Sequence, residues 1–450
     1  MATEHDTTIR LIPATGAGGA RTAVGQLSPQ PWMRDARTAA VIAALSAGGA
    51  EVRFVGGCVR DALLHRAVKD VDIATPETPD VVIRRLEDAG LRAVPTGLDH
   101  GTVTAVADGM SFEVTTLRRD VATDGRHAEV AFTDSFREDA ARRDFTMNAL
   151  SATPDGAVYD YFDGLADLAA RKVRFVGRPQ QRIREDYLRI LRFFRFHAHY
   201  GAGAPDHEAL KACGMEAAGL ARLSGERVRD ELLKILAAPQ PAEALLEMRG
   251  ERVLEQVLPE AVHIGRLRTL AWIETAGLRR EWLTPDPLRR LAAVVENDRP
   301  AVLALAERLR LSNDQRDRLA DLAAPAAGSP EPEPALDDAG LRRLAYGLGN
   351  ARLRDRALVL WAAERVAQGH PDSRRTGLWI RLLDFAAEWT PPTLPLQGRD
   401  VLADLGVPPG PQVGELLRRA EALWLAEDFR PDRADLLRRL RETGPAGGAG

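Results

Sequence analysis

Two adjacent glycines followed by two closely spaced aspartates constrain the fold of this chain more than any other segment of its sequence. The stretch EVRFVGG (51–57) is a short apolar run that ends in Gly56 and Gly57, a pattern typical of a buried strand that leaves its sheet through a tight turn. Asp70 and Asp72 lie in the next strand candidate, and alternate residues of a strand point to the same side of a sheet. The segment therefore predicts a strand, a glycine turn and a helix, and then a strand that carries two neighbouring carboxylates.

The residues of this segment favour binding of a nucleotide and a divalent cation. Backbone N–H groups at a helix N-terminus can hold a triphosphate, because Gly57 lets the phosphate come close and Arg60 adds a positive charge. The Asp70 and Asp72 carboxylates would repel each other unless a cation lay between them, and oxygen ligands of this kind suit Mg²⁺. Two such ions would activate a 3′ hydroxyl and stabilise a leaving pyrophosphate.

A third acidic side chain, Glu113, is expected to assist at the same site. It lies in the strand candidate SFEVTTL (111–117), and an adjacent antiparallel strand would bring it beside the aspartates. Taken singly, two glycines are usually a plain turn, and an Asp-x-Asp pair is usually a solvated strand end. Their combination with an arginine at this spacing is much more specific.

Strand and helix patterns alternate in the first part of the chain, and helical patterns dominate the rest. The strand candidates, which suggest an α/β or α+β domain around a helix at 79–89, are VDIAT (71–75), TVTAVAD (102–108) and SFEVTTL (111–117). From about residue 180 onward, apolar residues recur at helical spacing, as in RVRDELLKIL (227–236), DQRDRLADLAA (314–324) and VGELLRRAEALW (413–424). Proline-rich stretches at 324–335 and 391–398 predict breaks between helices.

Composition excludes several classes of protein. Two cysteines, Cys58 and Cys213, are too few for a disulfide framework or a cysteine-based zinc site and fit a reducing cytosol, so we expect a cytoplasmic location. No apolar run approaches the roughly 18 residues of a membrane span, so no membrane contact is expected. No segment points to a protein partner. Residues 1–29 and 444–450 are rich in small residues and are expected to be disordered.

Positive charge is concentrated in one segment, although the formal net charge is −4. Residues 171–200 hold nine Arg or Lys against two acids, Glu185 and Asp186. A continuous helix predicted over 181–199 would place on one ridge Asp186, Arg189, Arg192 and Arg195. Ion pairs on an exposed helix are the ordinary explanation, but arginines with few nearby acids favour an external polyanion such as nucleotide phosphates or RNA.

Five motifs, in this order, resemble those of the class II tRNA nucleotidyltransferase and bacterial poly(A) polymerase family, a branch of the polymerase-β-like nucleotidyltransferases. They are GGCVRDALLHRAVKDVDIAT (56–75), RRDFTMNAL (142–150), REDYLRILRFFRF (184–196), LSGERVRDELLKIL (223–236) and the weaker PGPQVGELLRR (409–419). The resemblance implies an α+β fold, in which a polymerase-β-like head with a mixed or antiparallel sheet precedes an all-α neck, body and tail. The expected bounds are 30–152 for the head, 153–240 for the neck and 241–443 for the body and tail.

The resemblance also implies functions for individual residues. Arg143 and Asp144 match a motif that contacts the ribose and phosphates of the incoming nucleotide, and Asp186 and Arg189 match a Glu-Asp-x-x-Arg motif that selects the base. The positions that contact nucleotide and phosphates in the family are matched by Arg192 and Arg195. Adenine and cytosine both present an amino donor beside a ring-nitrogen acceptor, which Asp186 and Arg189 complement. Guanine and uracil present the reverse pattern and would be rejected without a template.

The activity that the resemblance implies is addition of CCA to the 3′ end of tRNA from CTP and ATP, with release of pyrophosphate. A poly(A) polymerase, or an enzyme that adds only CC or only A, would share this chemistry. A mobile loop expected between Thr116 and Arg142 favours full CCA addition, because the family's CC-adding members have it shortened, and the uncharged C-terminal segment favours tRNA. The alternative of another class is an inactive RNA-binding protein that keeps the fold, against which the pair Asp70 and Asp72 argues.

Overall fold

The computed structural model describes residues 9–11, 23–123, 128–369 and 372–442, with side chains everywhere in these ranges except at 9–11 and 120–130. The chain divides into two compact units, Met1–Pro259 and Glu260–Gly450. No helix within the described ranges is long and apolar enough to cross a lipid bilayer.

A mixed sheet runs through the first unit. The strands of the described residues are β1 (Ile9–Leu11), β2 (Gly25–Leu27), β3 (Arg53–Val55), β4 (Asp72–Thr75), β5 (Arg92–Gly97), β6 (Thr102–Ala107), β7 (Met110–Thr116), β8 (Arg118–Thr123), β9 (Ala128–Phe132), β10 (Ser151–Ala152) and β11 (Ala157–Tyr159). Nine of them form one sheet in the order β1-β2-β11-β10-β3-β4-β7-β6-β5, and β8 pairs with β9 alone. Neighbouring strands are antiparallel except β4 and β7, which are parallel. The predicted α+β class with a mixed sheet is therefore confirmed.

Helices cover and extend this sheet. In the first unit they are α1 (Pro31–Arg34), α2 (Ala36–Ser46), α3 (Gly57–Leu63), α4 (Pro79–Asp88), α5 (Phe136–Ala141), α6 (Gly164–Ala169), α7 (Pro179–Glu185), α8 (Leu188–Tyr200), α9 (His207–Met215), α10 (Gly225–Leu236), α11 (Pro241–Gly250) and α12 (Leu254–Val257). Short 3₁₀ turns lie at Leu98–His100, Thr146–Asn148 and Ala217–Arg222. The helix expected at 79–89 is α4, which packs with α2 on β6.

The strand predictions hold because apolar residues alternate along the chain. In β6 the buried residues are Val103, Ala105 and Ala107, and the residues between them are partly exposed. Strand β7 shows the same period of two, with Phe112, Val114 and Thr116 buried and Ser111, Glu113 and Thr115 on the other face. This pattern fits a strand with one face in the core, and it sets which side chains of β7 point away from the core.

Two segments expected to lack regular structure form strands instead. Strands β1 and β2 pair with each other, and β2 also pairs with β11, so that Leu27 is completely buried. The predicted disorder of residues 1–29 is wrong for these strands, because the sheet edge supplies hydrogen-bond partners for their backbone. Residues 1–8 and 12–22 of that segment, and the expected tail at 444–450, lie outside the described residues.

The predicted mobile loop between Thr116 and Arg142 also contains regular structure. The two-stranded ribbon of β8 and β9 and the helix α5 occupy most of it. Cross-strand hydrogen bonding of the ribbon satisfies backbone groups that a loop would expose to water. Residues 124–127 at its turn lie outside the described residues.

The described residues of the second unit form helices and turns. The helices are α13 (Ile264–Trp272), which continues as a π-helical turn at Ile273–Gly277, α14 (Pro287–Val294), α15 (Arg299–Arg308), α16 (Asn313–Ala323), α17 (Asp338–Leu348), α18 (Asn350–Gln368), α19 (Ser373–Glu388), α20 (Gly398–Leu405), α21 (Pro411–Ala426) and α22 (Arg433–Glu442). The predicted helices at 227–236, 314–324 and 413–424 are confirmed as α10, α16 and α21, and both predicted proline-rich breaks lie between helices. The expected domain boundaries at residues 152 and 240 stay predictions.

Candidate active site

Two acidic side chains lie where β4 and β7 run side by side. Asp72 is the first residue of β4 and pairs in register with Glu113 of β7. The pairing is parallel, so the expected antiparallel arrangement is wrong, although the two predicted residues are neighbours. Parallel strands need a long crossover connection, and here α4, β5 and β6 provide it. Asp70 is exposed and precedes the strand, so it does not share the strand geometry predicted for the Asp70–Asp72 pair.

The carboxyl group of Asp72 lies where a negative charge is unfavourable. Burial and then the charge of Glu113 raise the pKa of Asp72 to about 6, while Arg143 acts to lower it. A divalent cation would relieve this repulsion, so the acids fit Mg²⁺ chemically. Within the described ranges no three His, Cys, Asp or Glu side chains are grouped to hold a metal. The protein therefore offers a partial carboxylate site, which is how Mg²⁺ is commonly bound together with waters and substrate phosphates.

The predicted glycine turn lies against the same carboxylate. Gly56 precedes α3 with φ 69° and ψ −121°, a conformation essentially restricted to glycine. A Cβ atom on Gly56 would lie 2.9 Å from Nη1 of Arg143 and 3.9 Å from Oδ2 of Asp72. The absence of a side chain at Gly56 therefore lets the turn approach both the acid and the guanidinium.

Arg60 is buried beside this turn, and each of its three guanidinium nitrogens donates a hydrogen bond. Nε and Nη2 donate to the Asp61 carboxylate at 2.9 and 2.8 Å, and Nη1 donates to Oδ1 of Asn148 at 2.7 Å. The guanidinium also lies over the ring of Tyr200, 4.3 Å from the ring centre. Arg60 thus ties α3 to α8 and to the turn at Asn148.

One buried acid positions both arginines of the RRD motif. Asp139 of α5 is 3% exposed and accepts from Nε of Arg142 at 2.8 Å and from Nη2 of Arg143 at 3.1 Å. Burial acts to raise the pKa of Asp139, but the charges of Arg143 and Arg142 hold it below its ordinary value. Asp139 therefore stays ionised at neutral pH and positions both guanidiniums, of which that of Arg143 lies at the glycine turn.

Asp144 is buried, and its carboxylate is occupied by groups of the protein. Oδ1 accepts from the backbone N of Phe145 at 2.8 Å and from Nδ2 of Asn148 at 2.9 Å, and Oδ2 accepts from Nε of Arg192 at 2.8 Å. Burial opposes ionisation of this group, but Arg192 and the hydrogen bonds hold its pKa below the ordinary value. This geometry makes Asp144 a positioning residue for Arg192.

The predicted continuous helix over 181–199 is wrong, because the chain breaks at Asp186. Helix α7 ends at Glu185 and α8 begins at Leu188, while Asp186 is extended with φ −156° and ψ 108°. Its Oδ1 accepts from the backbone N of Leu188 at 3.1 Å, a local bond that competes with helix continuation. Its Oδ2 accepts from Nη2 of Arg227 of α10 at 2.8 Å. Asp186 therefore lies at a helix junction and not on the arginine ridge.

The three arginines of α8 each have an acidic partner, contrary to the expectation of few nearby acids. The pairs are Arg189–Glu185, Arg192–Asp144 and Arg195–Glu231. The contact between Arg189 and Glu185 measures 2.6 Å, and that between Nε of Arg195 and the buried Glu231 measures 2.8 Å. Two of these acids come from segments far away in sequence, which explains why a count of local charges missed them.

A cleft of about 570 Å³ within the first unit collects most of these groups. Seven arginines and three aspartates line it, so its wall is positively charged and suits a polyphosphate. The predicted residues that line it are Gly57, Arg60, Asp72, Arg143, Asp144, Asp186, Arg189 and Arg192. Asp70 and Glu113 lie beside Asp72 and act on its pKa without lining the cleft, and Arg195 lies further along α8.

Several lining residues were not assigned a binding role from the sequence, although Gly56 was recognised as part of the glycine turn. They are Gly56, Arg118, Arg142, Asn148, Leu188, Phe196 and Arg227. Gly56, Arg142, Asn148, Leu188, Phe196 and Arg227 belong to motifs that the sequence does display, so a signal existed for them. Arg118 follows β7 outside any recognised motif, and only the sheet brings it to the cleft.

The fold and the cleft define a nucleotidyltransferase, and comparison with known proteins agrees. Residues 52–174 match the family model described as "Poly A polymerase head domain". Residues 204–264 match the model described as "Probable RNA and SrmB- binding site of polymerase A".

Similar proteins cover nearly the whole chain. The mitochondrial CCA tRNA nucleotidyltransferase 1 of Mus musculus is 36% identical over 407 residues, which are 87% of each chain. The CCA-adding enzyme of Geobacillus kaustophilus is 32% identical over 388 residues, 86% of this chain and 91% of the relative. The crystal structure of the Bacillus stearothermophilus CCA-adding enzyme in complex with CTP superposes with a TM-score of 0.72 at 29% identity, covering 92% and 98% of the two chains. The chain belongs to the class II tRNA nucleotidyltransferase and bacterial poly(A) polymerase family.

Proposed function

We propose that this chain adds CCA to the 3′ end of tRNA, using CTP and ATP and releasing pyrophosphate without a nucleic-acid template. The observation that carries the proposal is the cleft in which Asp72, the glycine turn and a set of arginines surround one space. The similarity to CCA-adding enzymes over most of the chain supports it. The chemistry is in-line attack of the RNA 3′ hydroxyl on the α-phosphorus of the nucleotide, for which the protein supplies positioning and charge neutralisation.

The acids at the edge of β4 and β7 would hold Mg²⁺. Asp72 is the principal ligand, with Asp70 and Glu113 assisting, because both add negative charge beside Asp72. The chemistry that bound Mg²⁺ supplies is activation of the 3′ hydroxyl and charge neutralisation on the departing pyrophosphate. Without a cation Asp72 binds a proton more readily than an ordinary aspartate, so proton and metal compete for this carboxylate.

The arginines of the cleft would bind the triphosphate and the ribose. Arg143 lies at the glycine turn, where Gly56 and Gly57 leave room for a phosphate next to the Asp72 carboxylate. Arg60 lines the same wall and, with its nitrogens directed to Asp61 and Asn148, mainly provides positive potential. Across the cleft, nucleotide and phosphate contacts are assigned to Arg192, with Asp144 as its positioning residue. A phosphate contact is also assigned to Arg195, which lies further along α8 and is positioned by Glu231.

Base selection would be performed by Asp186 and Arg189. Both line the cleft, and both have protein partners, Arg227 for Asp186 and Glu185 for Arg189. A base that offers an amino donor and a ring-nitrogen acceptor can replace these partners with bonds of the same polarity. Guanine or uracil would leave Asp186 and Arg189 without hydrogen-bond partners. These bases are rejected because a charged group that loses its partners is destabilised.

The helical remainder would bind the tRNA. The match of residues 204–264 to an RNA-binding family model supports contact by the segment from α9 to α13.

We further propose a cytoplasmic location, supported by two free and buried thiols, Cys58 and Cys213, which fit a reducing compartment.

The test is nucleotide addition to tRNA that lacks its 3′ end, with each nucleoside triphosphate supplied singly and in combination. We expect addition that stops after CCA, requires Mg²⁺ and is lost in Asp72→Asn. Asp80→Asn, an exposed acid of α4, serves as the matched control and should keep full activity. Long A tails without C would identify a poly(A) polymerase, and addition of only CC or only A would identify a partial enzyme. Binding of tRNA with no transfer, unaltered in Asp72→Asn, would identify an RNA-binding protein.

A further inference from the structure

A second cavity lies within the second unit, among α13, α16, α18 and the proline-rich stretch at 324–335. Its volume is about 300 Å³, at the small end of the range for small-molecule sites. Its polar lining consists of Arg266, Asn297, Ser329, Glu331 and Arg356, and the rest of the wall is mostly apolar. Every lining residue belongs to the second unit, whereas every residue lining the nucleotidyl-transfer cleft belongs to the first.

Arg356 of α18 lines this cavity with a buried side chain that has an unused hydrogen-bond donor within the described ranges. It is only 3% exposed, and its Nη1 has no hydrogen-bond partner among the described residues. A guanidinium keeps its charge in proteins, and buried charges are ordinarily paired and hydrogen-bonded. Arg356 therefore presents a buried positive charge with unused donor capacity at the wall of a cavity.

The acids near Arg356 do not supply that partner. Asp321 is paired with Arg352, whose Nε donates to Oδ2 at 2.6 Å. Glu331 is exposed on the proline-rich stretch and acts on Arg356 only through space. Burial lowers the pKa of Arg356, and this effect outweighs the attraction of Asp321 and Glu331.

A second guanidinium, that of Arg266, lines the same space from α13. Nη1 of Arg266 donates to Oδ1 of Asn297 at 2.9 Å, which positions the side chain. Burial lowers the pKa of Arg266 as well. Two arginines against one exposed glutamate leave the cavity positively charged. A guanidinium presents its N–H donors in a fixed plane, and this geometry matches the oxygens of a phosphate group.

We propose that this cavity is a phosphate-binding site, in which Arg356 and Arg266 donate hydrogen bonds to the oxygens of one phosphate group. Ser329 and Asn297 provide further polar contacts at its rim. Two sources of this ligand share the same chemistry: a free phosphate or small phosphomonoester, and a backbone phosphate of RNA. The limited volume favours a single phosphate group over a whole nucleotide.

The first experiment titrates the full chain with inorganic phosphate by calorimetry and compares Arg356→Met and Arg266→Gln with the wild type. Phosphate binding in the first cleft remains in all of these proteins, so the predicted change is loss of one binding event, or weakening of it by about tenfold or more. Arg374→Gln is the matched control, because Arg374 is exposed on α19 and does not line the cavity. It should keep the wild-type isotherm.

Thermal unfolding of each variant checks that the fold persists, and half-buried Arg266 gives a second variant if Arg356→Met unfolds. Tungstate soaked into crystals of the wild type should give an anomalous peak between Arg356 and Arg266. Affinity for tRNA, measured in parallel, separates the two sources. If both variants bind tRNA more weakly and the wild type shows no phosphate-binding event at this site, the ligand is an RNA phosphate. If both variants lose the phosphate-binding event and bind tRNA as tightly as the wild type, the ligand is a free phosphate. Unchanged phosphate and tRNA binding, with no tungstate at the two arginines, would overturn the proposal.

Discussion

The carboxylate of Asp144 and the guanidinium of Arg192 form an ion pair across 48 positions of sequence, with 2.8 Å between Oδ2 and Nε. Asp144 also accepts from Asn148, which in turn accepts from Arg60, so the pair belongs to a chain of contacts that joins α3, α8 and the turn at Asn148. Because the carboxylate is buried and Arg192 lines the cleft, this relationship links the stability of the head to the position of a nucleotide-binding group.

Asp144→Asn should therefore reduce both stability and catalysis. Loss of the charge leaves Arg192 without its buried partner, which typically costs about 3–5 kcal/mol of the free energy of unfolding when the pair is fully buried, and less here because Arg192 is partly exposed. We expect kcat/KM to fall by about 100-fold, since displacement of a positioned group has effects of that order. Urea denaturation and steady-state kinetics measure the two effects. Because the pKa of Asp144 is lowered in the folded state, the stabilisation is complete above the ordinary aspartate pKa and is lost as pH falls through the lowered value.

A double-mutant cycle with Arg192→Met isolates the pair. If Asp144 acts through Arg192, the double variant should be hardly less active than the Arg192→Met single variant. Full additivity of the two losses would show that Asp144 acts on the substrate independently of Arg192.

The raised pKa of Asp72 predicts an unusual pH dependence of stability in the absence of metal. Proton binding at this carboxyl favours the folded state, so the free energy of unfolding should fall as pH rises from 3.8 through about 6. Asp72→Asn removes this dependence and should be more stable than the wild type at pH 7.5 by about 1–3 kcal/mol. Urea denaturation in EDTA at several pH values measures the difference, which should vanish near pH 4.

Two further measurements test whether the pH dependence of stability arises at Asp72. Glu113→Gln removes a charge that helps raise the pKa of Asp72. The pH at which the free energy of unfolding stops falling should therefore be lower in this variant than in the wild type. Addition of Mg²⁺ should stabilise the wild type and leave Asp72→Asn unchanged, since a ligand stabilises only the state that binds it. Equal stabilisation of both proteins by Mg²⁺ would place the cation elsewhere.

Much of this site follows from local sequence, and the remainder depends on tertiary packing. The glycine turn, the strands at 102–107 and 110–116 and the position of Asp72 are visible because each depends on a few consecutive residues with a clear period or turn chemistry. The partners Asp144 and Glu231 are not visible, because α8 meets them only after the chain has folded.

Strand pairing and helix breaks were the least predictable features. Both a parallel and an antiparallel neighbour would satisfy the alternation of β7, so the sequence pattern does not distinguish them. Asp186 sits among strong helix formers, and its extended backbone depends on Arg227 in another helix as well as on its own contact with Leu188. The pairing of β1 and β2 with the sheet likewise depends on the edge that β11 provides.

Gly56→Ala should disrupt the glycine turn that lies between the Asp72 carboxylate and the Arg143 guanidinium. The φ of 69° and ψ of −121° strain any L residue, and the new Cβ would lie 2.9 Å from Nη1 of Arg143. We expect a loss of about 1–3 kcal/mol in the free energy of unfolding. Gly57→Ala is the control, because its Cβ would lie 3.7 Å from Nη2 of Arg60, an ordinary contact. Similar stability of the two variants would contradict the assigned strain.

Asp186→Ala should relax nucleotide selection. If the carboxylate accepts from the amino group of cytosine and adenine, its removal should reduce the ratio of kcat/KM for CTP over UTP by about 100-fold or more. Arg227→Met is the matched control, because it removes the ion-pair partner of Asp186 and keeps the carboxylate that would contact the base. Selectivity should persist in Arg227→Met, whereas loss of selectivity in both variants would mean that the helix junction, and not the carboxylate, sets the preference.

The second unit contains a buried charge cluster whose disruption should destabilise that unit without direct effect on the cleft residues. Glu274, in the π-helical turn, accepts from Nε of Arg290 at 2.6 Å and pairs with Arg289 at 2.6 Å, and all three side chains are at most 7% exposed. Glu274→Gln would leave buried Arg290 facing a neutral carboxamide, whereas Arg289 keeps its ion pair with Asp355, so the cost is near the lower end of about 3–5 kcal/mol. Glu333→Gln, at an exposed ion pair with Arg375, should cost less than about 1 kcal/mol. Chemical denaturation followed by tryptophan fluorescence would report the difference, because six of the seven tryptophans, including the buried Trp361 and Trp379, lie in the second unit. Equal effects of the two substitutions would show that the cluster is not stabilising.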